Sequence, residues 1–469
     1  MFSKTLRDNR LILLLSFVIL IAIETSLVLI TGLQYYEALI VSLIAIFSIL
    51  VIIEPFYSLI LVTFISFFIE GDYIQSFVIF SLYGFHWYLM DLAFLLSFIA
   101  ISYKFLGGEY HLKINSTFIW LMLFYLACII GVYWGLKVGH PAQDVFYDLR
   151  CFFYYLVFIP AFFLLEDFSK LKSLFIFILV LGTLKCTIDT FNSLYFMPKT
   201  FDDTTWQYLP FARLKGYNEV VYPLTFIASI SYFYFIKDLK TKLLLLPSIF
   251  FSLTALFLSY TRGSWLAAAM TIIIGAYFLI RSQRLRIKTS IFITTILSII
   301  AFVYLLNLVG VIPDKFLIAR ATSISFNKID ISNLGRLVEY ATGFNAFLKS
   351  PLLGAGLGFK FTYFSPGIGT ESTIYCHNSY LYVLTKMGIM GIIPFLLILI
   401  SVLKVGPLVL KSNMEAEEVG IVFSFIMMVL VLVVKSLTTW HLNTVTFSSF
   451  VGILFGISMI YKNKLRLNN

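Results

Sequence analysis

Between Gly310 and His377 a polar stretch interrupts an otherwise apolar chain, and it carries Arg320, Arg336, Glu339 and, at its end, Cys376-His377-Asn378-Ser379-Tyr380. Arginine offers a permanently charged planar fork that matches phosphate oxygens. Histidine is neutral yet protonatable near pH 7, which suits proton transfer to and from a hydroxyl. Arginines and a histidine at the edge of a bilayer fit chemistry on an anionic, membrane-held substrate. Arg262, at the start of an apolar run, has the same character, because backbone N–H groups at a helix start also attract anions. Arg150, Arg213 and Arg320 are further candidates of this kind. The plainer reading of an arginine at a helix end is an anchor on lipid phosphate, and for Arg262 taken alone the two readings weigh equally. His86, His111, His140 and His441 read as structural histidines.

The elements that must position these residues are membrane helices. The composition, 60% hydrophobic and 12% charged with a mean hydropathy of +0.95, belongs to an all-α polytopic membrane protein. Apolar runs approaching the roughly 20 residues that span a bilayer fall near 11–31, 36–53, 56–70, 87–103, 117–136, 150–166, 171–194, 220–236, 243–260, 263–281, 289–309, 379–403, 416–434 and 444–461. This gives 12–14 transmembrane helices, the range reflecting the pair 36–53 and 56–70, which only Glu54-Pro55 separates. The chain thus divides into helices 1–11 over 1–309, a large periplasmic or extracellular loop over 310–378, and helices 12–14 over 379–469. Lys and Arg resist translocation, and with both termini in the cytoplasm the inner segments hold nineteen of them against seven in the short outer segments. That asymmetry puts the polar loop outside. It also accounts for much of the +10 net charge, and no soluble domain remains to carry a nucleic-acid function.

Within the loop, Leu337, Tyr340, Ala341, Phe344, Phe347 and Leu348 form the stripe of an amphipathic helix, with Ser332 and Asn333 as N-caps, Pro351 as its stop, and Arg336 near its first turn beside Glu339. Such a helix is expected to lie on the bilayer or on the tops of the membrane helices. The segment Pro351-Leu-Leu-Gly-Ala-Gly-Leu-Gly-Phe359 lacks the flanking strand and helix of a dinucleotide site and reads as a flexible loop. Lys185 and Asp189, one turn apart in an apolar run, are most simply an ion pair. Cysteines 128, 151, 186 and 376 have no metal-site spacing.

Several segments resemble the O-antigen ligase and polymerase superfamily: Thr261-Arg262-Gly263-Ser264-Trp265, Gly335-Arg336, Pro351-Leu-Leu-Gly-Ala-Gly, and His377-Asn378-Ser379-Tyr380 leading toward Gly388 and Gly391. The likeness covers about 243–400, with weaker echoes in Asp148-Leu149-Arg150 and Gly216-Tyr217-Asn218. It implies a GT-C-like glycosyltransferase in the bacterial inner membrane, acting at the outer face without metal or other cofactor. The donor would be a glycan on polyprenyl (undecaprenyl) diphosphate. The acceptor would be lipid A–core in a ligase, the first reading, or another glycan in an O-antigen or exopolysaccharide polymerase. In that scheme Arg262 and Arg336 offset the charge of the departing diphosphate, Arg150, Arg213 and Arg320 assist, and His377 is the general base of an inverting transfer. Two other classes compete. A metal-dependent relative would use Glu70-Gly71-Asp72, and a glycolipid transporter or flippase would show repeat symmetry, which the sequence lacks.

Overall fold

The computed structural model describes residues 50–51, 54–68, 78–82, 85–106, 114–196, 201–202, 207–208, 214, 219–282, 331–365 and 369–467. Eight helices among them are long and apolar enough to cross a bilayer, and three shorter apolar helices accompany them. The protein is an all-α polytopic membrane protein, as its composition predicts. The runs expected at 11–31 and 289–309, and most of 36–53, lie outside the described residues.

In chain order the elements are α1 (Tyr57–Phe68), the hairpin β1 (Val78–Leu82) and β2 (Phe85–Tyr88), α2 (Leu89–Leu106), α3 (Ser116–Val138), α4 (Ala142–Phe153), α5 (Phe158–Leu164) and α6 (Phe168–Phe191). A small ladder comes next, β3 (Phe201–Asp202) with β4 (Gln207–Tyr208), then α7 (Val221–Phe233), α8 (Leu239–Leu258) and α9 (Arg262–Arg281). The chain ends with α10 (Ile331–Lys349), the antiparallel hairpin β5 (Phe361–Ser365) and β6 (Gly369–Thr373), α11 (Ser379–Leu403), α12 (Val405–Lys411), α13 (Ala416–Lys435) and α14 (Val445–Leu467). Polar side chains punctuate these helices. Asn115, Asp167, Asp238 and Asn378 each accept a backbone N–H from the first turn of α3, α6, α8 and α11. Gly139 ends α3 in the left-handed conformation. α13 and α14 are the most enclosed long helices, and around them α7, α9 and the α4–α5 segment pack.

Polar contacts collect at two opposite ends of the bundle. One end joins Lys170 to Glu54, Lys172 to Glu417, Lys462 to Ser116 and Ser401, and Lys464 to Glu418. The other joins Arg150 to Asp91, His140 to Ala355, Asp148 to Lys386, Glu219 to Lys435 and Glu339 to His377. Lys185 and Asp189 form the expected ion pair at 3.0 Å, and Tyr222 donates a second bond to Asp189.

Two expectations for the 331–359 region change. α10 begins at Ile331, so Ser332 and Asn333 lie inside the helix rather than capping it, and Arg336 lies beyond the first turn. The apolar stripe faces outward, in keeping with one of the two placements expected: Leu337, Phe344 and Leu348 are about half exposed, while Gly335, Glu339 and Gly343 face inward against the hairpin and α11. Small side chains let α10 approach closely, and an apolar outer stripe is what a helix at a membrane interface offers to lipid. The glycine-rich turn, expected to be flexible, is instead spliced into a break in α11. Gly388 has φ 60° and ψ −155°, which interrupts the helix ladder. The turn replaces the lost bonds: Ala355 and Gly356 donate to the carbonyls of Thr385 and Lys386, and Ile389 and Met390 donate to those of Pro351 and Leu352. A β-carbon on Gly388 would lie 2.4 Å from the Leu352 oxygen, and one on Gly354 would lie 2.6 Å from backbone atoms of α11. Only glycine allows backbones this close.

Candidate active site

His377 is delivered by β6 and fixed by the start of α11. Asn378 caps α11 by accepting from the N–H groups of Tyr380 and Leu381, and the Ser379 N–H donates to the Ser436 carbonyl. Glu339 reaches His377 from the buried face of α10. Its carboxylate accepts the His377 backbone N–H at 3.2 and 3.3 Å, and Oε2 lies 3.0 Å from Nδ1 of the ring. A carboxylate only accepts, so Nδ1 carries the proton and Nε2 keeps a free lone pair. The Glu339 side chain is 1% exposed and the His377 side chain 32%. The acid is thus hidden and the ring open on one side. Tyr340 donates to the His377 carbonyl at 3.0 Å, and Trp440 lies edge-on to the ring with centroids 4.5 Å apart. Trp440 stacks in turn on Tyr375, whose hydroxyl bonds Tyr147 of α4.

Arg262 is the first residue of α9. Thr261 precedes it without capping through its side chain, because its hydroxyl donates to Glu219 at 2.7 Å. Glu219 also accepts from Lys435 at 2.6 Å, and Lys435 donates to Ser264 at 2.6 Å. Burial raises the Glu219 carboxyl, but the adjacent Lys435 charge and the bonds from Lys435 and Thr261 outweigh it, and the net direction is down. Glu219 and Lys435 thus form a compensated pair beside the start of α9. Gly263 packs against Thr438, where a β-carbon would lie 2.4 Å from the hydroxyl. The turn 435–443 therefore touches the start of α9 through Lys435 and Thr438 and the His377 ring through Trp440.

Arg336 sits one turn before Tyr340 on α10, half-buried, and forms no ion pair with any described residue. Glu339, three residues further on, is turned toward His377 and does not pair with Arg336. Because α10 begins five residues earlier, helix-start N–H groups do not add to its charge. Arg150 is engaged elsewhere: its Nε lies 3.7 Å from Asp91 and its guanidinium 5.0 Å over the Tyr88 ring. Arg213 and Arg320 lie outside the described residues, as do Glu70 and Asp72.

A buried ion pair frames the site. Asp148 of α4 accepts from Lys386 Nζ at 2.5 Å, from the Tyr382 hydroxyl at 2.5 Å and from the Gly358 N–H at 2.6 Å, and both charged side chains are fully buried. Lys386 also donates to the Ile374 carbonyl at 2.9 Å, three residues before His377. The ion pair thereby ties α4, α11, the glycine turn and the segment leading to the histidine.

Residues 247–396 of this chain match the family described as O-antigen ligase. Over this segment the chain is similar to the O-antigen ligase-like superfamily. No curated protein matches the chain. The matched segment contains Arg262, Arg336, Glu339 and His377 but not Asp148, Glu219, Lys435 or Trp440, so the site draws on helices on both sides of it. Sequence reasoning misses those four residues and the role of Glu339. The signal that points to such residues is a charge within an apolar run, as with Lys386, where an unpaired charge is costly and a partner is required. His140 is structural as expected, its Nε2 2.9 Å from the Ala355 carbonyl. His441 differs from a satisfied structural histidine: it is buried and neither ring nitrogen has a partner among the described residues, and burial followed by the Lys435 charge depresses its pKa to about 3.

Proposed function

We propose that the protein is a membrane glycosyltransferase that moves a glycan from a polyprenyl diphosphate carrier to a hydroxyl acceptor at the outer face of the bacterial inner membrane, with both termini in the cytoplasm. The observation that carries this reading is the His377–Glu339 pair, half open to solvent, at the same bundle end as Arg262 and Arg336 and inside the segment that matches the O-antigen ligases. The acceptor hydroxyl attacks the anomeric carbon as its proton passes to His377 Nε2. The new C–O bond forms while the bond to the diphosphate oxygen breaks, and the leaving charge is met by the Arg262 and Arg336 guanidinium groups. A single displacement of this kind inverts the anomeric centre and leaves no covalent glycosyl-enzyme. Glu339 holds the ring in the tautomer that exposes Nε2 and stabilises the imidazolium once formed. The ligase reaction, with lipid A–core as acceptor, is our first reading, and transfer to another carrier-linked glycan, the polymerase reaction, is the alternative.

The test pairs donor binding with turnover in purified His377→Ala. Donor binding should persist and turnover should fall by about 10²–10⁴-fold, the usual cost of removing a general base. Near-normal turnover, or a wild-type product of retained configuration, refutes the assignment. In a deletion strain, loss of the whole O-antigen ladder identifies the ligase, whereas a single capped repeat identifies a polymerase.

A further inference from the structure

A cavity of about 500 Å³ opens at the site end of the bundle, walled by Trp134 and His140 at the end of α3, by Thr342, Asn345 and Lys349 of α10, and by Phe359, with the glycine turn as its floor. Its walls are fixed from below. The Trp134 indole N–H donates to the Gly354 carbonyl at 3.1 Å, and His140 Nε2 lies 2.9 Å from the Ala355 carbonyl. Because the floor is itself locked into the break in α11, the cavity is formed before any ligand arrives, which lowers the ordering cost of binding. The Trp134 and Phe359 side chains give the wall aromatic carbon that suits contact with the C–H groups of a pyranose ring. Asn345 and Lys349, both exposed and without a partner among the described residues, offer an amide and an ammonium to its hydroxyl or acidic groups. A lipid tail has no use for these polar groups, and Lys349 is too far from Arg336 to share one diphosphate, about 20 Å at the α-helical rise over thirteen residues.

The order along α10 gives the cavity its place in the reaction. Arg336 stands at one end, Glu339 with His377 comes next, and Asn345 lies about 9 Å further on at the same rise. Leaving group, base and cavity are therefore in sequence, the order of a displacement in which the acceptor enters opposite the departing diphosphate. We infer that this cavity is a saccharide subsite that holds the acceptor glycan while its terminal hydroxyl is presented to His377. The assignment of acceptor rather than donor rests on the transfer reaction proposed above, whereas saccharide binding itself does not.

The experiment uses the full-length protein in detergent and, as probe, the free glycan released by mild acid from the cell's own glycolipid acceptor, titrated calorimetrically. Asn345→Ala and Lys349→Ala, at exposed positions where folding is not at stake, should each weaken the glycan Kd by about three- to tenfold, the value of one lost hydrogen bond. They should raise the acceptor KM by the same factor with kcat and donor Kd unchanged. Ala346→Trp, which fills the cavity, should abolish glycan binding. His377→Ala should bind glycan normally. Unchanged Kd and KM in both alanine variants, or no glycan binding by the wild type, overturns the subsite. Weakened glycan binding in the variants of a wild type that transfers sugar from no polyprenyl diphosphate donor sinks the transfer reaction and leaves the saccharide site standing.

Discussion

Cutting the Asp148–Lys386 pair from one side should damage both stability and turnover, and the size of the effect depends on the group each cut strands. Lys386→Met leaves a carboxylate in a fully buried position with only the Tyr382 hydroxyl and the Gly358 N–H as donors, and removes the bond to the Ile374 carbonyl. Asp148→Asn leaves a buried ammonium whose remaining acceptors are an amide oxygen and that carbonyl. Breaking one side of a buried ion pair costs about 3–5 kcal/mol, chiefly through the stranded charge. The double variant Asp148→Asn/Lys386→Met strands no charge, so it should be more stable than either single variant, with a coupling energy on the order of 2–3 kcal/mol. Thermal unfolding in detergent, monitored by fluorescence-detected size exclusion, ranks the four proteins. Function provides a second readout. Freeing Ile374 loosens the segment that ends at His377, and misplacing a catalytic group by about 1 Å can cost around 10²-fold in rate, so Lys386→Met should bind donor yet turn over slowly. If both single variants melt with the wild type, or the double variant is no better than the weaker single, the pair does not hold the frame.

Glu339→Gln should lower kcat by about 10²-fold, since the amide can present a donor to Nδ1 and favour the wrong tautomer; an unchanged kcat and pH profile would remove Glu339 from the mechanism. Arg262→Ala and Arg336→Ala should each cost on the order of 10²–10³-fold in turnover at normal membrane abundance, with Lys recovering part of the loss if charge alone matters; full activity in both would reduce them to lipid anchors. His441 should make the fold acid-sensitive. Its pKa is depressed in the native state to about 3 against about 6.5 in the unfolded chain. The unfolded chain therefore takes up the proton first, and stability falls by up to about 1.4 kcal/mol per pH unit as pH drops below about 6.5 toward 3, with no further loss from this group below that. Depression of Glu219 acts in the same direction, its contribution being lost as pH falls through its native pKa. His441→Gln should flatten the melting temperature between about pH 6.5 and 4.5; an equally steep profile would place the sensitivity elsewhere.

The helices are legible in the sequence because a bilayer leaves a coarse signal, a long apolar run, that survives without any tertiary information. The charged residues at their ends are legible for the same reason: Arg262 and His377 stand where apolar runs begin. Partnerships are not. Glu339 lies 38 residues from His377, and Asp148 lies 238 from Lys386, separations over which periodicity says nothing. The stripe on α10 is plain in the sequence but its direction is not, since in a membrane protein the apolar side of a helix can face protein or lipid. Here a glycine, a glutamate and another glycine face the protein, because close packing and one buried hydrogen-bonded acid determine the contact.

The glycine turn shows why composition misleads. Glycines in a loop suggest freedom, yet Gly354, Gly356 and Gly358 have positive φ and are pressed against α3, α4 and α11. A membrane helix cannot break without new partners for its backbone groups, and the break at Gly388 is repaired by the four backbone bonds from the 351–356 turn. The repair makes two segments into one rigid body. Asp148 then fastens that body to α4 through Gly358, Tyr382 and Lys386, and the Leu357 N–H fastens it to α3 through the Gly131 carbonyl. His377 enters α11 two residues before its first helical turn, and the 500 Å³ cavity has the same turn as its floor. The candidate base and the cavity therefore share one frame, so their separation is set by backbone hydrogen bonds and one buried ion pair rather than by flexible side chains. The transfer proposed above depends on such a fixed separation, because the reacting atoms gain their effective concentration only where the groups that hold them cannot drift apart.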